Sequence, residues 1–362
     1  MTHLDIAHLR LQNQHITRQT FAKPCEVVQW LGAVQAQDYG AAKWAVGLRL
    51  QAATDNALEQ AFNSGEILRT HVMRPTWHFV SPADIRWLLA LTAPHVKATI
   101  AYYDRQLALD NATLIQSNTV LTKALQGGEQ LTRQELVSVL QQVGVASDNL
   151  QRFGHILMHA ELDGIICSGA RRGKQFTYAL LDERVPQTRT VERDEALAEL
   201  ARRYFTSHGP ATMQDFVWWS GLPVADAKVG LSMVKFQLLY EVVDDQTYWF
   251  PPSTPPAKDV SQIAHLLPNF DEYTVGYTDR SAVFDMLHSY KLDSRSNGLL
   301  GYIMVLDSQV VGTWKRTIKK DAVIITPNLF TPLSEAGTRA FAIAANRYGT
   351  FLNMPVECYG RG

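Results

Sequence analysis

A set of helices followed by a β-hairpin pattern occurs three times before Pro256, and the tail from Val260 turns strand-rich. These two observations predict an α+β fold of three tandem winged-helix units followed by a small C-terminal β-barrel-like domain. The expected bounds are 1–126, 127–186, 187–256 and 257–362. The length of 362 residues allows two to four structural units, and an apolar fraction of 46% with eight Trp and thirteen Tyr suffices for packed cores. The repetition lies in the order of elements, not in a residue-level repeat.

In the first unit, Leu4 to Gln14 reads as a short helix and Thr17 to Thr20 as a turn. Pro24 sits where a first helical turn tolerates it. Val27, Val28, Leu31 and Val34 then form a helical stripe within the amphipathic segment Cys25 to Val34. Asn56 to Gly65 is a helix stopped by glycine. Ile67 to Val80 is rich in β-formers and broken at Arg74-Pro75, which predicts a hairpin. Ser81 is the expected N-cap of the next helix, and the helical pattern runs to about Gln126 with a break near Pro94.

Gly127-Gly128 marks a boundary, and Thr132 with Glu135 carries a capping pattern. Helices to Val143 and from Asp148 to Leu162 precede two strands, Ile165 to Ser168 and Gln175 to Leu180, with a basic tip between them. The third unit has helices at Glu192–His208, Thr212–Ser220 and Val224–Phe236, a hairpin around Asp244-Asp245, and a linker at Pro251-Pro252 and Pro255-Pro256. In the tail, strands at Tyr302–Val305, Gln309–Thr313 and Val323–Thr326 are separated by turns at Asp307-Ser308 and Lys319-Lys320-Asp321. A helix follows from Ser334 to Tyr348.

Composition excludes several classes. The formal net charge of −1 does not announce a nucleic-acid partner, although a neutral total permits a basic face. Cys25, Cys167 and Cys358 are far apart, without a zinc-ligand spacing, and their sparse number fits a reducing compartment. The N-terminus lacks a basic segment before an apolar run, and the apolar stretch Trp87 to Ala93 is too short to span a bilayer. A cytoplasmic protein without membrane contact is expected. Gly-rich phosphate loops, Gly-x-Ser-x-Gly and His-Glu-x-x-His are absent from the sequence. His155 and His159 have the helical spacing of two ligands without an apparent third, so neither a metal nor a cofactor is expected. Asp271-Glu272 and Asp244-Asp245 read as turn carboxylates.

The most informative segment is Gln35-Ala36-Gln37, followed by Asp38. A glutamine amide does not titrate, but it both accepts and donates, which suits a reaction that needs a positioned water and little proton transfer. On a regular helix, residues two apart point about 200° apart, whereas on an extended segment they share a face. Two glutamines serving one pocket therefore require the helix to end or distort between Val34 and Asp38. In the first hairpin, Arg69, His71, Arg74, Trp77 and His78 mix cations and aromatics, as holding a base outside its stack requires. The second unit offers Arg152 on its second helix and Arg171, Arg172 and Lys174 on its wing. Lys315 and Arg316, with Lys319 and Lys320, make either a DNA-contacting hairpin or a solvated face.

Several motifs, in order, resemble one family. They are Gln35-Ala36-Gln37 after an apolar helix, Arg69-Thr70 with Met73-Arg74, Leu267-Pro268-x-Phe270-Asp271-x-Tyr273, Gly276-Tyr277-x-Asp279-Arg280, and Gly312-x-Trp314. They resemble the bacterial winged-helix DNA glycosylases of the AlkZ/YcaQ type over almost the whole chain. The resemblance implies three winged helices and a C-terminal β-barrel around a DNA channel. It also implies removal of N-alkylated purines from double-stranded DNA, including bulky adducts and, in some members, crosslinked bases. Gln35 and Gln37 match the glutamine-glutamine version of the family's active-site motif, as in the azinomycin-resistance branch. Asp38 is an accessory residue, one position later than the aspartate branch places its carboxylate. An alkylated purine is already a good leaving group, so catalysis reduces to positioning water and supporting an oxocarbenium-like sugar. Gln37 is expected to orient the water, and Gln35 to position lesion or sugar or to assist with the water. Without an identified lysine nucleophile, hydrolysis without strand cleavage is expected, by a monomer. The alternatives are a non-enzymatic winged-helix regulator reading DNA sequence, or winged helices used for protein contacts.

Overall fold

Helix caps and turn residues set the element boundaries. The computed structural model describes residues 1–145, 149–187, 190–252, 262–285, 290–292 and 298–358. Asp148 and the Pro255-Pro256 linker lie outside them. The chain begins with α1 (His3–Asn13), α2 (Pro24–Leu31), β1 (Val34–Gln35), α3 (Tyr39–Gly47) and α4 (Asp55–Ser64). Next come the hairpin β2 (Leu68–Val72) and β3 (Arg74–Val80), then α5 (Ile85–Gln106) and α6 (Asn111–Leu125). Thr2 and Asp5 form a capping box on α1, and Gly65 in the left-handed region ends α4.

Three expectations change here. The helix of the Cys25–Val34 stripe stops at Leu31, where Gly32 takes φ +81°, and Val34 belongs to a strand. The N-cap of α5 is Asp84 and not Ser81, whose hydroxyl instead donates to the Asp84 carboxylate at 2.8 Å. Pro94 lies inside α5 without ending it.

The second segment comprises β4 (Leu131–Thr132), α7 (Arg133–Gln142), α8 (Leu150–Leu162), β5 (Ile166–Ser168), β6 (Thr177–Leu180) and α9 (Leu181–Arg184). The Thr132–Glu135 capping box opens α7. The sheet gains a third strand over the expected two, in the order β4-β6-β5, just as β1 joins the first hairpin in the order β1-β3-β2. The third segment has α10 (Arg193–Ser207), α11 (Met213–Ser220), α12 (Val224–Val234) and the pair β7 (Leu239–Val243) and β8 (Gln246–Phe250). Asp244 and Asp245, both at positive φ (49° and 61°), make its two-residue turn. The tail holds β9 (Ala264–Leu267), α13 (Glu272–Val275), β10 (Ile303–Leu306), β11 (Gln309–Ile318), β12 (Val323–Leu329), α14 (Glu335–Leu352) and β13 (Val356–Cys358). Its five strands run in the order β13-β12-β11-β10-β9, an open half-barrel.

The cores cross these segments. One cluster joins α2, α3 and α4 to the tail sheet and α14 through Leu31, Trp44, Phe62, Leu267, Trp314 and Tyr348. A second joins α5 to α10, α11 and α12 through Leu88, Leu91, Tyr204, Phe216, Trp219 and Leu231. The sheet β1-β3-β2 runs between them: Val34, Ala36 and Phe79 enter the first cluster, and Leu68, Val72 and Val80 the second. No helix among the described residues is long and apolar enough to cross a membrane.

Candidate active site

The glutamine segment is extended because β1 pairs with β3. Val34 lies opposite Phe79 and Gln35 opposite His78, and the Ala36 N–H donates to the Trp77 carbonyl at 2.7 Å. His78 lies across from Gln35 and Thr70 across from His78, so these three side chains share one face of the sheet, and Gln37 follows two residues beyond the end of β1, in a bend. Arg69 pairs with Phe79 and His71 with Trp77, which puts these four side chains on the opposite face. The cationic and aromatic residues of the hairpin thus divide: Arg74 and His78 join the glutamines, and Arg69, His71 and Trp77 do not.

Gln35 is held from two sides. Its side-chain oxygen accepts from Arg74 Nη2 at 3.0 Å, and its main-chain N–H donates to Glu272 Oε1 at 3.1 Å. Arg74 Nη1 in turn donates to the Trp219 carbonyl at 2.6 Å, near the end of α11. His78 Nδ1 donates to the Thr76 carbonyl at 2.9 Å, which leaves Nε2 as an acceptor 3.4 Å from Arg74 Nη2. Burial, with the Arg74 charge beside it, holds the His78 imidazole well below its ordinary pKa, so the ring is neutral. Since the guanidinium occupies Gln35 Oε1, the Gln35 NH2 group is the end left to meet a ligand. Gln37 is exposed, and its Oε1 takes only a long contact, 3.5 Å, from the Trp77 N–H.

Asp38 faces elsewhere. It N-caps α3 by accepting from the Ala41 N–H at 3.1 Å, and its second oxygen accepts from Asn269 Nδ2 at 3.3 Å and Tyr302 Oη at 3.2 Å. Its carboxylate therefore ties the glutamine segment to the tail.

Asp271 and Glu272, expected as turn carboxylates, are both buried with no exposure. Asp271 caps α13 and takes a bidentate pair from Arg49, at 2.9 and 2.8 Å. Glu272 Oε2 accepts from Trp219 Nε1 at 2.9 Å and lies 3.2 Å from His208 Nε2. Sequence reasoning missed Glu272, although it lies inside the quoted motif Leu267-Pro268-x-Phe270-Asp271-x-Tyr273.

A family model described as DNA glycosylase AlkZ-like matches residues 28–351. The chain belongs to the AlkZ-like DNA glycosylase family. Among AlkZ-like relatives, a protein of Streptomyces sahachiroi named "Interstrand DNA cross-link repair glycosylase" is 25% identical, over 88% of each chain. The solved structure of Streptomyces sahachiroi DNA glycosylase AlkZ has a similar fold, with a TM-score of 0.81, 22% identity, and coverage of 99% of this chain and 100% of that one.

The other candidate residues occupy varied places in this AlkZ-like chain. Arg69 donates through Nε to the Ala36 carbonyl at 3.0 Å, between the two glutamines, and its guanidinium stacks on Trp77 and Phe176 at 4.2 and 4.7 Å. Burial pushes its pKa down to about 10, so it stays charged at neutral pH. His71 bonds to the buried Glu161 of α8. Arg171 lies over Tyr39 and Phe176 and donates its N–H to Asn63, and so packs the second segment against the first. Arg152 turns inward, donating to the carbonyls of Leu107 (3.1 Å) and Val145 (2.6 Å). His155 and His159 both bond to Asp104, one on each oxygen, at 2.7 and 2.9 Å. Arg172, which pairs with Glu135, and Lys174 are exposed at the β5–β6 turn. On β11, Lys315 is exposed, and Arg316 lies over the Tyr302 ring and bonds to Tyr348.

Proposed function

We infer that this chain is a monofunctional DNA glycosylase that hydrolyses the N-glycosidic bond of N-alkylated purines, at N7 or N3 and including bulky or crosslinked adducts, in double-stranded DNA. The observation that carries the reading is the double anchoring of Gln35 by Arg74 and Glu272, with the exposed Gln37 two residues on. A cationic alkylpurine departs without prior protonation, and the sugar becomes oxocarbenium-like. Preorganised dipoles then suffice. Gln35 presents its NH2 group as donor to the lesion or sugar, and Gln37 orients the attacking water with its amide oxygen. Asp38 acts as an accessory by fixing the segment to the tail. Because the charged base is itself a good leaving group, the reaction needs no covalent lysine intermediate and proceeds as simple hydrolysis.

In each of the three segments helices are followed by a strand pair, with α5 and α6 after the pair in the first, and this order supports reading them as tandem winged helices bounded at 1–126, 127–186 and 187–256, with the half-barrel from 257 to 362. DNA contact falls to the exposed cations Arg172, Lys174 and Lys315, with Arg316 at the margin. Arg69, His71, Trp77, Arg152 and Arg171 shape the scaffold behind the site. The protein acts as a monomer in the cytoplasm, where the nucleoid lies.

The test is incubation of purified protein with duplexes carrying N7-methylguanine, N3-methyladenine or a bulky adduct, followed by detection of abasic sites. Release from at least one is expected, with release lost and DNA binding largely retained in Gln37→Ala. Sequence-selective binding with no base release would replace this reading by that of a regulator, and unchanged release by Gln37→Ala would remove Gln37 from the mechanism.

A further inference from the structure

Helix α11 ends in Trp218-Trp219-Ser220. Trp219 is buried and bonds to Glu272, whereas its neighbour Trp218 is 43% exposed. Trp218 is nonetheless fixed. Its indole Nε1 donates to the carbonyl of Val275, the last residue of α13, at 3.0 Å. Its own carbonyl lies 3.4 Å from Arg74 Nη1. Both groups that anchor Gln35 thus also frame Trp218: Arg74 directly, and Glu272 through the four-residue helix it shares with Val275. Of the eight tryptophans, the other seven each pack against another ring or a cation. Trp218 has no such neighbour among the described residues, and it is the one tryptophan among the exposed large apolar side chains.

An exposed aromatic ring held by a hydrogen bond beside a polar side-chain cluster is a preformed stacking surface. The electron-rich indole face attracts a cation as well as a π-system, and a purine alkylated at N7 or N3 is both. We propose that Trp218 is the binding residue on which the cationic alkylated purine stacks, opposite the donors of Gln35, and that it helps select charged over neutral bases. The inference rests on the glycosylase reading above.

Single-turnover and steady-state base release from an N7-methylguanine duplex should be compared for the native chain, Trp218→Ala and Trp218→Phe, with binding to the same duplex without damage. Release by the native chain tests the glycosylase reading by itself, before any variant is compared. Given release, Trp218→Ala is expected to lose roughly 10- to 100-fold in kcat/KM. Its affinity for undamaged duplex should stay within about 2-fold, and Trp218→Phe should recover most of the loss. Unchanged kcat/KM in Trp218→Ala overturns the proposal. So does an equal loss of affinity for undamaged DNA, which makes the indole a general DNA contact. A Trp218→Phe variant as poor as Trp218→Ala also overturns it, because the role then belongs to the Nε1 bond and not to the ring.

Discussion

Replacing Arg49 by Met tests how the tail is tied to the glutamine segment. All five guanidinium N–H groups are placed: Nε on the Gln14 carbonyl at 3.0 Å, Nη1 on the Ala45 carbonyl at 2.8 Å and Asp271 at 2.9 Å, and Nη2 on Gln14 Oε1 and Asp271, both at 2.8 Å. Both members of the ion pair have no solvent exposure. Arg49→Met strands the Asp271 carboxylate with the Tyr273 N–H at 2.9 Å as its remaining short-range donor. Removing one partner of a buried pair costs about 3–5 kcal/mol. Asp271→Asn keeps an oxygen to cap α13 but no longer needs a countercharge. The expected outcome of a double-mutant cycle is that Arg49→Met costs about 4 kcal/mol with Asp271 present and about 2 kcal/mol or less with Asn at that position. Urea unfolding of the four proteins reads the cycle. Equal cost in both backgrounds, or a cost below about 1 kcal/mol with Asp271 present, would refute the claim that this pair fixes α13. Because Glu272 follows Asp271 and holds the Gln35 main chain, Arg49→Met should also slow base release, although it touches neither glutamine.

Three further outcomes follow from the same geometry. Gly221 sits at φ +69° against the Met73 carbonyl, so Gly221→Ala should destabilise by more than about 1 kcal/mol and impair base release by moving the end of α11 away from Arg74; unchanged thermal unfolding and activity would contradict this. Burial, then the Arg347 charge, lowers the His265 pKa to about 4. The unfolded chain therefore binds this proton first as pH falls below about 6.5, and stability declines between there and about 4. His265→Gln should flatten that decline by up to about 1.4 kcal/mol per pH unit in urea midpoints, and an unchanged slope would rule out a neutral buried ring. Lys315→Ala should lower the salt dependence of DNA affinity by about one counterion, read by anisotropy at several salt concentrations, whereas Arg152→Ala should cost stability and leave that slope unchanged; equal slopes for both variants would count against the inward role of Arg152.

Much of the local structure was legible in the chain. The Thr132–Glu135 capping pattern, the glycine stop at Gly65 and the aspartate turn at Asp244-Asp245 all depend on contacts within a few residues, and each stands where those residues predict. The requirement that Gln35 and Gln37 leave the helix to share a face was also readable, because it depends only on backbone periodicity. The helix end was misplaced by a few residues: Val34 fits a helical stripe as well as a strand, and pairing with Phe79 decides between them.

What the chain could not convey is which partner covers each face. Alternation says that Arg69, His71 and Trp77 can share a side of the hairpin, but not that this side packs against Glu161 and Phe176 instead of opening toward a lesion. Asp271-Glu272 has the composition of a solvated turn. Only its burial against Arg49, His208, Trp219 and the Gln35 main chain, from residues more than fifty positions away, makes it a buried support for Gln35. The sequence by itself determined the family, the order of elements and the condition that the helix end before Gln35 if both glutamines are to share a pocket, because these depend on local pattern and motif order. Tertiary structure decided that Arg74 and Glu272 anchor Gln35, that Asp38 points to the tail and that Trp218 is held partly exposed beside Arg74. Those facts depend on long-range closure, in which a buried charge or amide takes whichever partner the packed chain brings within hydrogen-bond distance.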